Sequence, residues 1–437
     1  MGAGVVAPPS RQPGSLPFPT KPPGTVDPEM PFDHLVVVMM ENHSLDNLLG
    51  AMSLSNANVR GLEFDDGKAQ NWNPGTSQSP EKVYSFPLTS TAQATHVSQS
   101  WKATHEQIGD GSMNGFVTSV NSVEPMGYYT PELLPFAYSL AETFTLANAW
   151  FCSVPGPTYP NRRFLLAGTA FGGTVTGPET LLDPPPPHGT IFDRLSDNQI
   201  NWCNYFTDMP MTSVIPSIVL KHASHYATIS KFFHDCQAGT LPAVSFVDPG
   251  VGMLSSVGSA LASLPFPVKE ILQVLGVNFA STDPGETEED PQNMDYGEAW
   301  AHRVVEAILM SPKWERTLLI YTYDEHGGYF DHVQPPKALP PDDIPPKLQP
   351  GDPPGGYDMY GPRVPAVVVS PYSKPGGVTN VVHDHTSVLA TIERKWNLPA
   401  LTLRDANAND VMDFLDPTTA AFADPPIIQA PPAPPGL

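Results

Sequence analysis

The sequence predicts an α/β fold in which a central, mostly parallel sheet carries long loop insertions. Three observations lead there. His34-Leu35-Val36-Val37-Val38-Met39-Met40 and Thr317-Leu318-Leu319-Ile320-Tyr321-Thr322-Tyr323 are short, apolar, β-rich runs, which suit strands buried on both faces of a parallel sheet. Each runs directly into polar residues, Glu41-Asn42-His43-Ser44 after the first and Asp324-Glu325-His326-Gly327-Gly328 after the second. In open α/β sheets ligands bind just beyond the carboxyl ends of the strands, so both clusters fall where a site belongs.

The elements follow in order. Residues 1–30 read as an extended Pro-rich arm, and Met1 to Thr25 lack the charged-then-apolar plan of a signal peptide. On that reading the protein stays inside the cell, or its export signal is missing from this chain. Residues 31–424 are expected to form one domain. Residues 51–92, rich in Asn, Ser, Gly and Pro, read as loops with short strands. A helix is expected over 131–141, opened by Pro131, with Leu133, Leu134, Ala137, Leu140 and Ala141 at helical spacing. Another covers Arg163 to Thr169. Pro184 to Pro187 form a rigid surface loop.

Ala243 to Val247 make a short buried strand, and 248–295 a long acidic segment poor in strand signal. Gly297 to Met310 carry helical spacing. Residues 335–355, dense in Pro and Asp, read as a surface excursion near the site. Val364 to Ser370 form a strand with Pro365 near its start, and His385 to Trp396 a capped helix. The Pro-rich tail, 425–437, is expected to be disordered.

Composition narrows the function. The formal net charge of -23 argues against nucleic acid, which needs a basic surface, and against anionic membranes. Zwitterionic headgroups and small phosphate esters remain, provided a local cation offsets the acidic field. No stretch is long and apolar enough to span a membrane. Cys152, Cys203 and Cys236 lack zinc-site spacing, which leaves one disulfide with a free thiol, or three buried thiols.

The chemistry gathers at the strand ends. Glu41, Asn42, Asp324 and Glu325 offer hard oxygen ligands for a divalent cation, although singly such residues are ordinary helix caps. Gly327-Gly328 lets backbone approach a ligand closely. Thr158, between Pro157 and Pro160, is the candidate nucleophile, and a hydroxyl held against a cation is activated. Thr158-X-X-Asn161 also fits a helix start, where the dipole favours phosphate. Asn161 and Arg162 are candidates for phosphate oxygens. His326 and His385 are candidate proton donors, and His96 and His105 carry a weaker signal.

These residues resemble the bacterial phospholipase C and acid phosphatase family of phosphoesterases, which includes plant non-specific phospholipase C. The matching pieces are Met40 to Asp46, Gly156 to Arg162, Tyr323 to Val333, Gly361 to Pro365 and Asp384 to Ser387. The resemblance implies an alkaline-phosphatase-like three-layer fold, with Glu41, Asn42, Asp324 and Glu325 on one or more divalent metal ions (Zn, Ca, Mg or Mn). It implies that Thr158 forms a phospho-enzyme, with His326 and His385 near the phosphate, and a secreted or periplasmic setting. Two positions depart from the family pattern. Gln99 stands where many relatives have a histidine before a Ser-Trp pair, with His96 three residues earlier as a substitute on the phosphate. Asp290 stands at the histidine position of a Glu-His-Pro segment. The expected activity is phospholipase C-type cleavage of phospholipid headgroups. The alternatives are an acid phosphatase acting on phosphomonoesters and a non-catalytic metal-stabilised binding protein.

Overall fold

The computed structural model describes residues 9–92, 96–252, 259, 263–279 and 284–434. Its main sheet has eight strands: β1 (His34–Met40), β2 (Thr145–Ala147), β3 (Trp202–Phe206), β4 (Tyr226–Thr228), β5 (Val244–Asp248), β6 (Thr317–Tyr323), β7 (Ala366–Val369) and β8 (Val378–Thr379). The spatial order is β4-β3-β5-β1-β6-β7-β2-β8. Only β7 is reversed, antiparallel to both β6 and β2. The expected α/β architecture with a mostly parallel sheet is therefore the observed one. The central strands β1 and β6 are almost wholly buried, so helices must cover both faces of the sheet.

The helices that matter for the site are α1 (Leu45–Leu49), α2 (Trp101–Ile108), α3 (Pro135–Thr143), α4 (Thr158–Ala167), α5 (Met294–Leu309) and α6 (Thr386–Trp396). α5 packs on α3, and α6 packs on α4.

Several boundaries differ from expectation for local reasons. α3 opens at Pro135, not Pro131. Leu134 precedes a proline and sits at φ -122, ψ 64, outside the helical region, while Leu133 N and Leu134 N close a turn on Thr130 O. α4 begins at Thr158, five residues before the expected start. Pro160 is tolerated because first-turn amides have no intrahelical partner, and Gly168 in the left-handed conformation ends the helix. Thr158 is the first helical residue and Pro157 the cap, so the threonine is no N-cap.

The two ends of the chain are tied down. Gly14 N donates to Ala400 O (2.8 Å), Asp27 N to Lys395 O (2.8 Å), and Arg394 Nε to Asp27 Oδ2 (3.1 Å), which docks the arm near the C-terminal end of α6. The tail from Pro425, expected to be disordered, has a buried Ile428, and Gln429 N donates to Ser139 Oγ (3.0 Å). All three cysteines are free thiols, Cys152 and Cys236 buried and Cys203 partly so.

Glu298 on α5 joins α5 to α3 by accepting from Phe136 N (3.0 Å) and Ala137 N (2.9 Å). Burial outweighs these bonds and pushes its carboxyl up to about 8. The folded state thus holds the proton more tightly than the unfolded chain. The stability from that proton is full below about 4.5 and is lost as pH rises toward about 8. Melting temperatures from pH 4.5 to 8 should fall less steeply in Glu298→Gln than in wild type.

Candidate active site

The register of two parallel strands builds the site. Met40 pairs with Tyr323 at the carboxyl ends of β1 and β6, so the next residues, Glu41 and Asp324, emerge side by side. Both are fully buried, as are Glu325 and His326, and Asn42 is nearly so. Burial raises the carboxyls of Glu41, Asp324 and Glu325 above their usual range, and neighbouring carboxylates add to it at Glu41 and Glu325. Glu289 lies within the same field and raises both Glu41 and Glu325. It was not singled out from sequence as a site residue, although its Glu289-Asp290-Pro291 segment had been marked.

One guanidinium answers these charges. Arg162 Nη2 donates to Glu41 Oε1 (3.2 Å) and to the carbonyls of Met39 and Met40, while Nε donates to Asp324 Oδ2 (3.2 Å). Arg162 thus bridges the two strand ends. Asp324 Oδ1 accepts from Asn42 N (3.2 Å) and Glu325 N (2.7 Å). Of the four buried carboxyl groups in this field, Arg162 bonds to two.

Other polar atoms have no hydrogen-bond partner: Glu41 Oε2, Glu325 Oε1, both amide atoms of Asn42, and His326 Nδ1 are buried and unsatisfied. Asn42 also holds φ +71, a costly conformation for a residue other than glycine. Among the described residues no group of three or more His, Cys, Asp or Glu side chains is arranged to hold a metal ion. The donor set with the Asn42 amide included nevertheless fits a hard cation: three orphaned oxygens in an acidic pocket, each costly unless satisfied.

The histidines are already partnered. His326 Nε2 donates to Gln107 Oε1 (2.7 Å), so Nδ1 carries a lone pair, and burial holds the imidazole at about 3. That leaves Nδ1 able to accept a hydrogen bond or to ligate. His385 Nε2 donates to Asp324 O (2.6 Å), Trp150 Nε1 donates to its Nδ1 (3.4 Å), and burial lowers it to about 4. His385 thus fixes the backbone at Asp324. Asn161, expected on phosphate, has its amide on the loop before α4: Oδ1 accepts from Val154 N (3.1 Å) and Nδ2 donates to Gly156 O (2.8 Å). The double glycine lets two backbone segments approach closely. A Cβ on Gly327 would lie 1.9 Å from Asn42 O, and one on Gly328 2.6 Å from Ser98 O.

A cavity of about 310 Å³ opens over the first turn of α4 and is lined by Thr158, His96, Ser98, Gln99 and Thr176 among others. The carboxylates do not line it. Thr158 and Arg162 are one helical turn apart and share a face, so α4 spans from the cavity to the carboxylates. Gln107 on α2, not foreseen from sequence, links the same two regions, because its Nε2 donates to Ser98 O (2.9 Å) while its Oε1 holds His326. The 335–355 excursion packs alongside. Lys347 O accepts from Thr174 Oγ1 (2.9 Å), and Trp101 Nε1 donates to Pro353 O (3.3 Å).

Arg363 holds the surrounding segments together. Its Nε donates to Asp331 Oδ1 (2.9 Å), Nη2 to Asp46 Oδ1 (3.2 Å), and Nη1 to the carbonyls of Arg60 and Asn148. Burial alone would raise Asp46; His332, bonded to it at 2.6 Å, and Arg363 hold it below the usual range.

The pattern of the Phosphoesterase family matches residues 32–399. Non-specific phospholipase C6 of Arabidopsis thaliana is 30% identical over an alignment covering 91% of this chain and 75% of that protein. Phospholipase C B of Mycobacterium tuberculosis is 28% identical, covering 90% of this chain and 78% of that protein. Among solved structures, the lipoteichoic acid synthase LtaP from Listeria monocytogenes aligns with a TM-score of 0.40 and 11% identity, over 88% of this chain and 79% of that one.

Two outcomes are expected. Arg363→Ala leaves Asp46 and Asp331 buried without their cation and should cost roughly 3–5 kcal/mol in chemical denaturation. Titrating Zn, Ca, Mg or Mn into metal-free protein should raise the melting temperature, and Asn42→Ala should abolish the rise without any assay of activity.

Proposed function

We propose that this chain, which belongs to the phosphoesterase family and is a phosphoric ester hydrolase, cleaves phosphodiesters as a phospholipase C does, with Thr158 as nucleophile. The observation that carries the reading is the cavity over Thr158. Among the described residues, none that lines it is Lys, Arg, Asp or Glu. A phosphomonoester bears close to two negative charges at neutral pH and calls for fixed cations at its oxygens. A diester bears one, which suits a neutral cavity at a helix N-terminus. The phospholipase C relatives support the same choice.

In this mechanism the Thr158 hydroxyl releases its proton to solvent and its oxygen attacks phosphorus as the bond from phosphorus to the glycerol oxygen breaks. His96, an imidazole lining the cavity, gives its proton to the leaving alkoxide, and diacylglycerol departs. Water then hydrolyses the phosphothreonine and releases the phosphorylated headgroup. Glu41, Asn42, Asp324 and Glu325 would hold a divalent cation, with His326 Nδ1 a further donor. Such an ion supplies charge neutralisation and a lowered hydroxyl pKa. Asn161 shapes the loop that presents Thr158, and His385 and Arg162 set the positions of the carboxylates.

Thr158→Ala should reduce turnover of p-nitrophenylphosphorylcholine by about a thousandfold or more, and chelator should do the same to wild type. Wild type should prefer that diester to p-nitrophenyl phosphate, and the opposite preference would establish a phosphatase. Burial lowers the His96 imidazole from 6.5, so kcat/KM should fall as pH rises through that lowered value. His96→Gln should flatten the limb.

A further inference from the structure

We infer that the cavity selects phosphodiesters whose headgroup is a neutral polyol, and that Gln99 is the residue that reads it; this rests on the phosphodiesterase reading above. Gln99 is only 7% exposed, and its Oε1 is buried with no donor in the protein. The backbone that carries it is fixed. Thr104 Oγ1 donates to Gln99 O (3.2 Å), Ser100 caps α2 through Ala103 N (3.2 Å), and Ser98 O is held by Gln107. An orphaned acceptor on a rigid loop costs stability unless a ligand satisfies it.

The ligand must bring a donor. The phosphate of a diester has only acceptor oxygens, so the donor lies on the headgroup. Choline has none. A quaternary or primary ammonium would also want carboxylates or aromatic faces, and among the described residues none that lines the cavity is acidic, Phe, Tyr or Trp. The hydroxyls of Ser98, Ser100 and Thr176 line the cavity too, and Thr174 Oγ1, whose proton is on Lys347 O, keeps a lone pair, so the lining both donates and accepts, as does a polyol. A glycerol- or inositol-type headgroup therefore meets the cavity group for group. Its volume of about 310 Å³ lies at the small end of ligand sites, which suits one such headgroup.

The test compares phosphatidylinositol, phosphatidylglycerol and phosphatidylcholine in neutral detergent mixed micelles at 0.15 M salt, where the acidic protein is shielded from the anionic lipids. Wild type should favour the two polyol esters in kcat/KM by about tenfold or more. Gln99→Leu should bring that ratio toward unity, while its melting temperature does not fall, because Oε1 has no internal bond to lose. Gln99→Asn, which keeps an amide on a shorter stem, should lie between them. A wild-type preference for phosphatidylcholine, or a ratio unmoved by Gln99→Leu, overturns the inference and leaves the phosphodiesterase reading standing. Hydrolysis of p-nitrophenyl phosphate with none of any diester overturns both.

Discussion

The structure turns on a forced meeting of like charges. Parallel register between β1 and β6 puts Glu41 and Asp324 on adjacent strand ends, and Glu325 and Glu289 lie within the same buried field. Removing each ionised carboxylate from water costs several kcal/mol, and mutual repulsion adds to it. Arg162 offsets part of this by bonding to both strand ends. What it leaves unanswered are oxygens with no partner at Glu41, Asn42 and Glu325. A fold tolerates such a centre only where something else repays it, and here a bound cation is the simplest candidate.

Much of the surrounding structure serves that centre. Gly327 and Gly328 exist because the loop after β6 must pass within van der Waals reach of Asn42 O and Ser98 O. His385 and Asn161 steady backbone, the first at Asp324 and the second before Thr158. α4 carries charge compensation at Arg162 and a hydroxyl at Thr158 on one face, so a single helix positions both levels of the site. Gln107 couples them a second time through Ser98 and His326. The cavity and the acidic centre thus share their supports.

The sheet and the strand-end clusters were legible because β1 and β6 are long apolar runs that stop at polar residues, and both were located to the residue. Direction was not legible: Ala366 to Val369 reads alike whether parallel or reversed. The start of α3 was misjudged because Pro131 and Pro135 both mark helix starts, and only the conformation before Pro135 decides between them. Side-chain roles were the least visible. Composition points to His385 and Asn161 as functional groups, but which of their atoms are already engaged is a tertiary fact. Gln107 reaches the site from a helix whose local sequence carries no such signal, and at Glu289-Asp290-Pro291 the aligned segment drew notice to Asp290, not to Glu289.

The most direct measurement is the metal content of purified wild-type protein after exhaustive dialysis against metal-free buffer, set beside Glu325→Gln and Asn42→Ala prepared identically. The account predicts a stoichiometric divalent ion in wild type and its loss from both variants. Wild-type protein that is free of metal yet hydrolyses phosphodiesters at full rate would contradict it.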